Sequence, residues 1–158
     1  MLFAKARVAK TVWPETGDMM TETHSGSCLC GAVRFTVQGP MRGVIYCHCS
    51  QCRKQTGHYL AATNVALENL TIAGAENIQW FAASPFARRG FCHTCGSVLF
   101  WQPNAGDSIS VAAGAFDLPT GLVAAEHIFV ADKGDYYQIT DGLPHFARSS
   151  PGLAVAPE

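Results

Sequence analysis

Long apolar runs are missing from this chain. No stretch approaches the roughly 18 consecutive residues that a membrane-spanning helix needs. Charge is sparse as well: 11 Lys and Arg against 12 Asp and Glu leave a formal net charge of −1. The nearest things to a basic run are Arg53-Lys54 and Arg88-Arg89. Binding to nucleic acid or to an anionic membrane draws on dense positive charge, so the sequence gives little support for either partner. There is no internal repeat and no low-complexity segment. The opening residues, Met1 to Arg7, carry a basic residue every two or three positions and lack the unbroken apolar stretch of a secretory signal. A cytoplasmic location is the expectation, and in that reducing setting disulfides are disfavoured. Self-association into a homo-oligomer stays open.

What the chain does have is cysteine. Seven of its 158 residues are Cys, in three tight groups: Cys28-Leu-Cys30, Cys47-His-Cys49-Ser-Gln-Cys52, and Cys92-His-Thr-Cys95-Gly96. None stands alone. Spacings of Cys-x-Cys and Cys-x-x-Cys bring sulfurs close enough to share one ion, and Zn²⁺ is the usual guest of such sets. An odd count fits poorly with a disulfide framework. Two closed tetrathiolate sites would need eight sulfurs, so seven suggests one full site and one three-sulfur site with an open position, where chemistry can occur.

Local geometry supports the grouping. If Cys28 and Cys30 lie on a strand, residues i and i+2 share a face and offer two thiolates together; Cys47 and Cys49 follow the same logic, with His48 directed oppositely. The most economical pairing joins Cys28 and Cys30 to Cys92 and Cys95 and leaves Cys47, Cys49 and Cys52 as the three-sulfur set. Spacing alone leaves other pairings open. Rival readings are buried inert thiols and a redox-active Cys-x-x-Cys. The first needs three tight groups to arise by chance, and the second lacks the βαβ context of thioredoxin-type motifs.

Positive side chains close to the cysteines, namely Arg34, Arg53, Lys54, Arg88 and Arg89, are candidates to offset thiolate charge. Among the histidines, His24, His48 and His93 read as neighbours of ligands or surface groups. His58 is a candidate to line the open site, His127 sits in an apolar strand as a core histidine, and His145 has no assigned role.

The rest of the pattern predicts an all-β domain of short, mostly antiparallel strands over residues 24–146. Ala32 to Val37 alternates, with Val33, Phe35 and Val37 on one face. Further strands are expected at 44–47, 59–65, 70–73, 78–81, 87–92, 97–101, 108–112 and 127–130, with a last one at 136–139. Ser50 to Gln55 is the one modest helix candidate. Residues 1–23 read as a weakly structured extension, with Met19 or Met20 as an alternative start, and 147–158 read as a loose tail.

Three blocks together resemble a known family. They are Ser27-Cys28-Leu29-Cys30-Gly31-Ala32-Val33-Arg34-Phe35, Cys47-His48-Cys49-Ser50-Gln51-Cys52-Arg53-Lys54, and Arg89-Gly90-Phe91-Cys92-His93-Thr94-Cys95-Gly96-Ser97. They are similar to the glutathione-dependent formaldehyde-activating enzymes, whose domain is shared with centromere protein V. Ile139-Thr140-Asp141-Gly142-Leu143-Pro144-His145-Phe146 resembles the family's C-terminal signature. The resemblance implies a zinc-stapled β fold with two Zn²⁺ per chain: a structural zinc on Cys28, Cys30, Cys92 and Cys95, and a catalytic-type zinc on Cys47, Cys49 and Cys52. It implies carbon–sulfur lyase chemistry on small molecules, a thiol and an aldehyde, with glutathione as co-substrate and S-hydroxymethylglutathione as the adduct. Gln55 and His58 are then candidates to move a proton, and Arg53 and Lys54 to meet glutathione carboxylates. Two positions depart from the pattern: His93 stands where proline is common, and Tyr136-Tyr137 where an indole is. A zinc module that binds a partner, and a zinc-thiolate sensor or store, are the non-enzymatic alternatives.

Overall fold

A computed structural model describes residues 22–153. Nearly all of the expected N-terminal extension, including Met19 and Met20, and the last five residues lie outside that range. Ten strands and one α-helix make up the described chain: β1 Thr23–Ser27, β2 Arg34–Gln38, β3 Val44–Cys47, α1 Ser50–Thr56, β4 Leu60–Ala66, β5 Leu70–Ala73, β6 Ile78–Ala82, β7 Ala87–Cys92, β8 Val98–Pro103, β9 Ser108–Ala112 and β10 Ala124–Ile128. They form two sheets, one of three strands in the order β1-β2-β5 and one of seven in the order β10-β3-β4-β9-β8-β7-β6. Within these sheets every pairing is antiparallel except β10 with β3. The expected β architecture is therefore present. No helix among the described residues is long and apolar enough to cross a membrane.

The alternation read in the second strand is what joins the sheets. Val33, Phe35 and Val37 are buried to 2% exposure or less and pack with Val65, Leu99, Phe100, Ile109 and Val111. Phe35 meets Phe100 and Phe116 edge-on, at centroid distances of 5.9 and 5.1 Å. Burying each large apolar side chain contributes roughly 1.5–3 kcal/mol, so this row dominates the cohesion between the layers. Strand β1 was not expected, and its sequence Thr-His-Ser-Gly-Ser explains why. It pairs through backbone alone, and Gly26 is required because a Cβ there would lie 2.4 Å from both Ala115 O and the Phe35 ring.

Two expectations at the C-terminal end need correction. Tyr136 to Ile139 is not a strand; it belongs to an irregular segment folded back over β10. That return is bonded by His127 N–H to Pro144 O (2.8 Å), Phe146 N–H to His127 O (2.9 Å) and Phe129 N–H to Arg148 O (2.9 Å). The expected loose tail is thus tied down at its start, where the Ser150 hydroxyl also donates to Glu126.

Candidate metal centres and the cleft beside them

The seven thiols converge in two places. The Sγ atoms of Cys28, Cys30, Cys92 and Cys95 lie within 4.8 Å of one another, as do those of Cys47, Cys49 and Cys52. All seven are free thiols. Cys28 and Cys30 Sγ are 3.5 Å apart, and Cys30 and Cys92 Sγ 3.8 Å. A tetrahedron of metal–sulfur bonds of 2.3 Å has edges of about 3.8 Å, so donor type and spacing fit a tetrahedral thiolate-bound metal.

Turns, rather than strands, shape the four-sulfur group. Cys28 and Cys30 follow β1 in a turn closed by Gly31 N–H to Cys28 O (3.1 Å), with Gly31 at φ 76°. Cys92 and Cys95 form the matching turn between β7 and β8, closed by Gly96 N–H to Cys92 O (2.8 Å), with Gly96 at φ 75°. Positive φ is easy for glycine and strained elsewhere, which accounts for both residues. Val33 N–H donates to Cys28 Sγ (3.3 Å), and the Ser97 hydroxyl lies 3.2 Å from Cys95 Sγ. That hydroxyl and the Ser97 and Cys30 backbones pull the Cys95 thiol down to about 5. Cys28 and Cys92 belong to the main apolar cluster, so two sulfurs anchor the group in the core, while Cys95 is half-buried and Cys30 exposed.

The three-sulfur group is assembled at the start of α1. Cys47 ends β3, Cys49 caps the helix by accepting from Cys52 N–H (3.4 Å), and Cys52 is buried one turn in. Hydrogen bonds from Cys47 and Cys52 hold the Cys49 thiol far below its ordinary value, with Arg89's charge adding to the effect. Cys47 is pushed up by its hydrogen bonds with Cys49 and Cys52 and by burial. At Cys52 the bond with Cys47 lowers the pKa, but Cys49 and burial outweigh it and leave the thiol at about 11. Cys49 is the sulfur poised to ionise first, and thiolate is the form that binds metal.

Arg89 is the cation that serves this group. It is 5% exposed on β7, opposite Trp101. Its guanidinium donates to Gln51 Oε1 (3.3 Å), Gln55 Oε1 (2.9 Å) and Cys52 Sγ (3.5 Å). Burying a charge is costly unless it is bonded and paired, and the thiolates are the anions within reach. The other candidates do different things. Arg88 lies over Trp80 at 4.1 Å and donates to Gln102, while Lys54 is exposed. His24 pairs with Glu22 (3.7 Å), and His93 is exposed. His48 is fully buried and, like His127, bonded away from the sulfurs. His58 is exposed, its ring against Tyr59 and Tyr137 at 4.2 Å each.

Between the two centres lies an open cleft of about 660 Å³, a feature that sequence reading could not assemble. Leu60, Val98 and Ala112 line it and also pack on the three-sulfur group. Cys28 and Ser97 form its other side, and Gln55 and Asp117 supply polar groups. Arg53, Lys54 and His58 are not among its lining residues, Cys28 is its one cysteine, and Asp117 is the one acidic or basic side chain there. The signal for this cleft was spread over five separate segments.

Comparison with known proteins adds the following. The family model for glutathione-dependent formaldehyde-activating enzymes matches residues 23–132. A protein of Halomonas elongata, provisionally named as such an enzyme, is 34% identical over 126 residues, covering 72% of this chain and 79% of its own. An uncharacterized lyase of Schizosaccharomyces pombe is 25% identical over 124 residues, covering 78% of this chain and 90% of its own. The crystal structure of a Rhodobacter sphaeroides protein superposes with a TM-score of 0.51 at 29% identity, covering 63% of this chain and 97% of the other.

Proposed function

The chain belongs to the family of glutathione-dependent formaldehyde-activating enzymes, and from that premise we propose that it is a zinc-dependent carbon–sulfur lyase-type enzyme. Its substrate is the adduct of a thiol and an aldehyde, of the class of S-hydroxymethylglutathione. In this reading Cys28, Cys30, Cys92 and Cys95 hold a structural zinc, and Cys47, Cys49 and Cys52 hold a second zinc with an open position. The observation that carries it is the buried guanidinium of Arg89 bonded to Cys52 Sγ, in a three-sulfur group that also reaches the cleft through Leu60, Val98 and Ala112.

Zinc at three thiolates supplies an open position that favours the ionised form of a thiol and polarises an aldehyde oxygen. The chain's own residues do the rest. Arg89 offsets the negative charge and fixes Cys52 by its bond to Sγ. Leu60, Val98 and Ala112 keep water from one wall of the cleft, which strengthens every polar interaction there. Gln55 commits its carbonyl to Arg89, leaving its amide N–H free to donate to a hydroxyl or carbonyl oxygen of substrate. In the cleavage direction the carbon–sulfur bond of R–S–CH₂–OH breaks, its electron pair stays on sulfur, and the hydroxyl proton ends on the thiol as C=O forms. The reverse joins thiol and aldehyde, so no external oxidant or reductant is needed.

The decisive experiment combines metal content per chain with adduct formation from thiol and formaldehyde, followed by NMR. Two zinc ions, catalysis above buffer, and its loss in Cys49→Ser support the reading. Equal rates in wild type, variant and buffer would remove it and favour a zinc module without catalysis.

A further inference from the structure

The segment resembling the family's C-terminal signature lies beyond residue 132, where the family match ends, and the chemistry above gives it no role. In the structure it holds a buried chain of polar side chains that runs under the sulfur-bearing strand. Asp141 Oδ2 lies 2.8 Å from His127 Nε2, His127 Nδ1 lies 2.8 Å from His48 Nε2, and His48 Nδ1 is hydrogen-bonded to the Tyr137 hydroxyl. His48 is 0% exposed and His127 3%, while the Asp141 side chain is 43% exposed.

Asp141 is held below the usual carboxylate range, first by the hydrogen bond from His127, so the carboxylate accepts and His127 Nε2 donates. The other two links, His127 Nδ1 with His48 Nε2 and His48 Nδ1 with the Tyr137 hydroxyl, occupy both ring nitrogens of His48. The imidazole of His48 is thus fixed in orientation by groups from two other segments.

His48 stands between Cys47 and Cys49. The two cysteines pack with Cys52, Leu60 and Ala62, whereas its own ring packs with Tyr59, His127 and Tyr137. The third sulfur is reached from the same segment. The Tyr136 hydroxyl donates to the carbonyl of Gly57 (3.1 Å), which terminates the helix carrying Cys52. Residues 136–141 thus grip both pieces of chain that deliver the three sulfurs.

We propose that this segment is a clasp, in which Tyr137, His127 and Asp141 are positioning residues that preorganise Cys47, Cys49 and Cys52 for a metal ion. The inference rests on the three-sulfur group binding metal, and not on the lyase reaction. Groups hydrogen-bonded directly to metal ligands change metal affinity by about 10–100-fold, and the clasp, which acts through His48, is expected at the lower end of that range. The four-sulfur group has no contact with the clasp and serves as an internal control.

The test is chelator-driven release of Zn²⁺ from the loaded protein, with the three-sulfur phase identified by its absence in Cys49→Ser. Asp141→Ala is expected to speed that phase about tenfold and leave the four-sulfur phase within about twofold. Asp141→Asn, whose one amide oxygen can turn to His127 only by giving up the Leu143 N–H, is expected to restore part of the difference. Equal acceleration of both phases in Asp141→Ala, no acceleration, or a single bound ion in wild type would each overturn the clasp. Absent turnover with these release kinetics intact would sink only the lyase reading.

Discussion

The two sulfur groups use the same side chain and the same spacing, yet their neighbourhoods differ in kind. Around Cys28, Cys30, Cys92 and Cys95 the polar partners are backbone and a serine hydroxyl, and two of the sulfurs are part of the main core. Around Cys47, Cys49 and Cys52 there is a buried guanidinium with two glutamines bonded to it, while the cleft is shared, lined by Cys28 on one side and by residues packed on the three-sulfur group on the other. The lesson is that ligand identity states where a metal can go, while the next layer states what it is for. In the proposed reading, the four-donor group set between strands far apart in sequence holds the chain together, and the three-donor group with its matched cation is the one that acts.

That contrast can be broken by mutation, and the largest effect is expected at the four-sulfur group. Cys92→Ser removes a ligand from the core, and structural zinc contributes on the order of 10 kcal/mol or more to folding in small metal-dependent domains. The variant is expected to lose its cooperative thermal transition, measured by circular dichroism. A variant that melts within a few degrees of wild type would reduce the four-sulfur group to an accessory. Cys49→Ser should do the opposite: about 100-fold or greater loss of adduct turnover, with the melting temperature nearly unchanged, in a side-by-side assay.

Arg89→Gln comes next. It leaves the thiolates without their cation and the exposed Gln51 and half-buried Gln55 without their donor, and the main cost, about 1–3 kcal/mol, falls on the buried Cys52 sulfur. Weaker zinc retention at the three-sulfur group is expected, together with a lower melting temperature. Arg89→Lys should recover charge but not the forked contact to Gln51, Gln55 and Cys52, so it is expected to fall between. Identical zinc affinity in all three proteins would show that the guanidinium only packs.

The smallest effect concerns the thiol. The cleft offers Asp117 and no lysine or arginine to a substrate, so amine-bearing or neutral thiols are expected to be used at least as well as glutathione. Asp117→Asn should narrow any preference for an amine-bearing thiol by only about two- to threefold, because exposed charge pairs contribute under about 1 kcal/mol. Ratios of kcat/KM for the two thiol classes provide the measurement, and an unchanged ratio would detach Asp117 from recognition.

The sequence was informative wherever chemistry or burial repeats locally. Val33, Phe35 and Val37 declared their strand by alternation, and each cysteine group declared itself by spacing. It was silent wherever the cause is distant. β1 has no apolar alternation because backbone pairing and Gly26's close approach define it. Arg88 and Arg89 look equivalent in sequence, but alternation on β7 turns one outward over Trp80 and the other inward to Cys52. Tyr136 to Ile139 carries a strand-like composition, yet its tyrosines are spent on Gly57 and His48. His127 was legible as a core histidine, whereas its partner Asp141 lies fourteen residues on and needed the fold to reach it.

Stepwise removal of metal tests the division between the two groups most directly. Zinc-loaded protein is titrated with a chelator while thiol–formaldehyde turnover and far-ultraviolet circular dichroism are followed in the same sample. The account predicts that turnover disappears with the first ion to leave, and that the β signal is lost only with the second. Turnover that survives the first ion, or a β signal that falls in step with turnover, would contradict it.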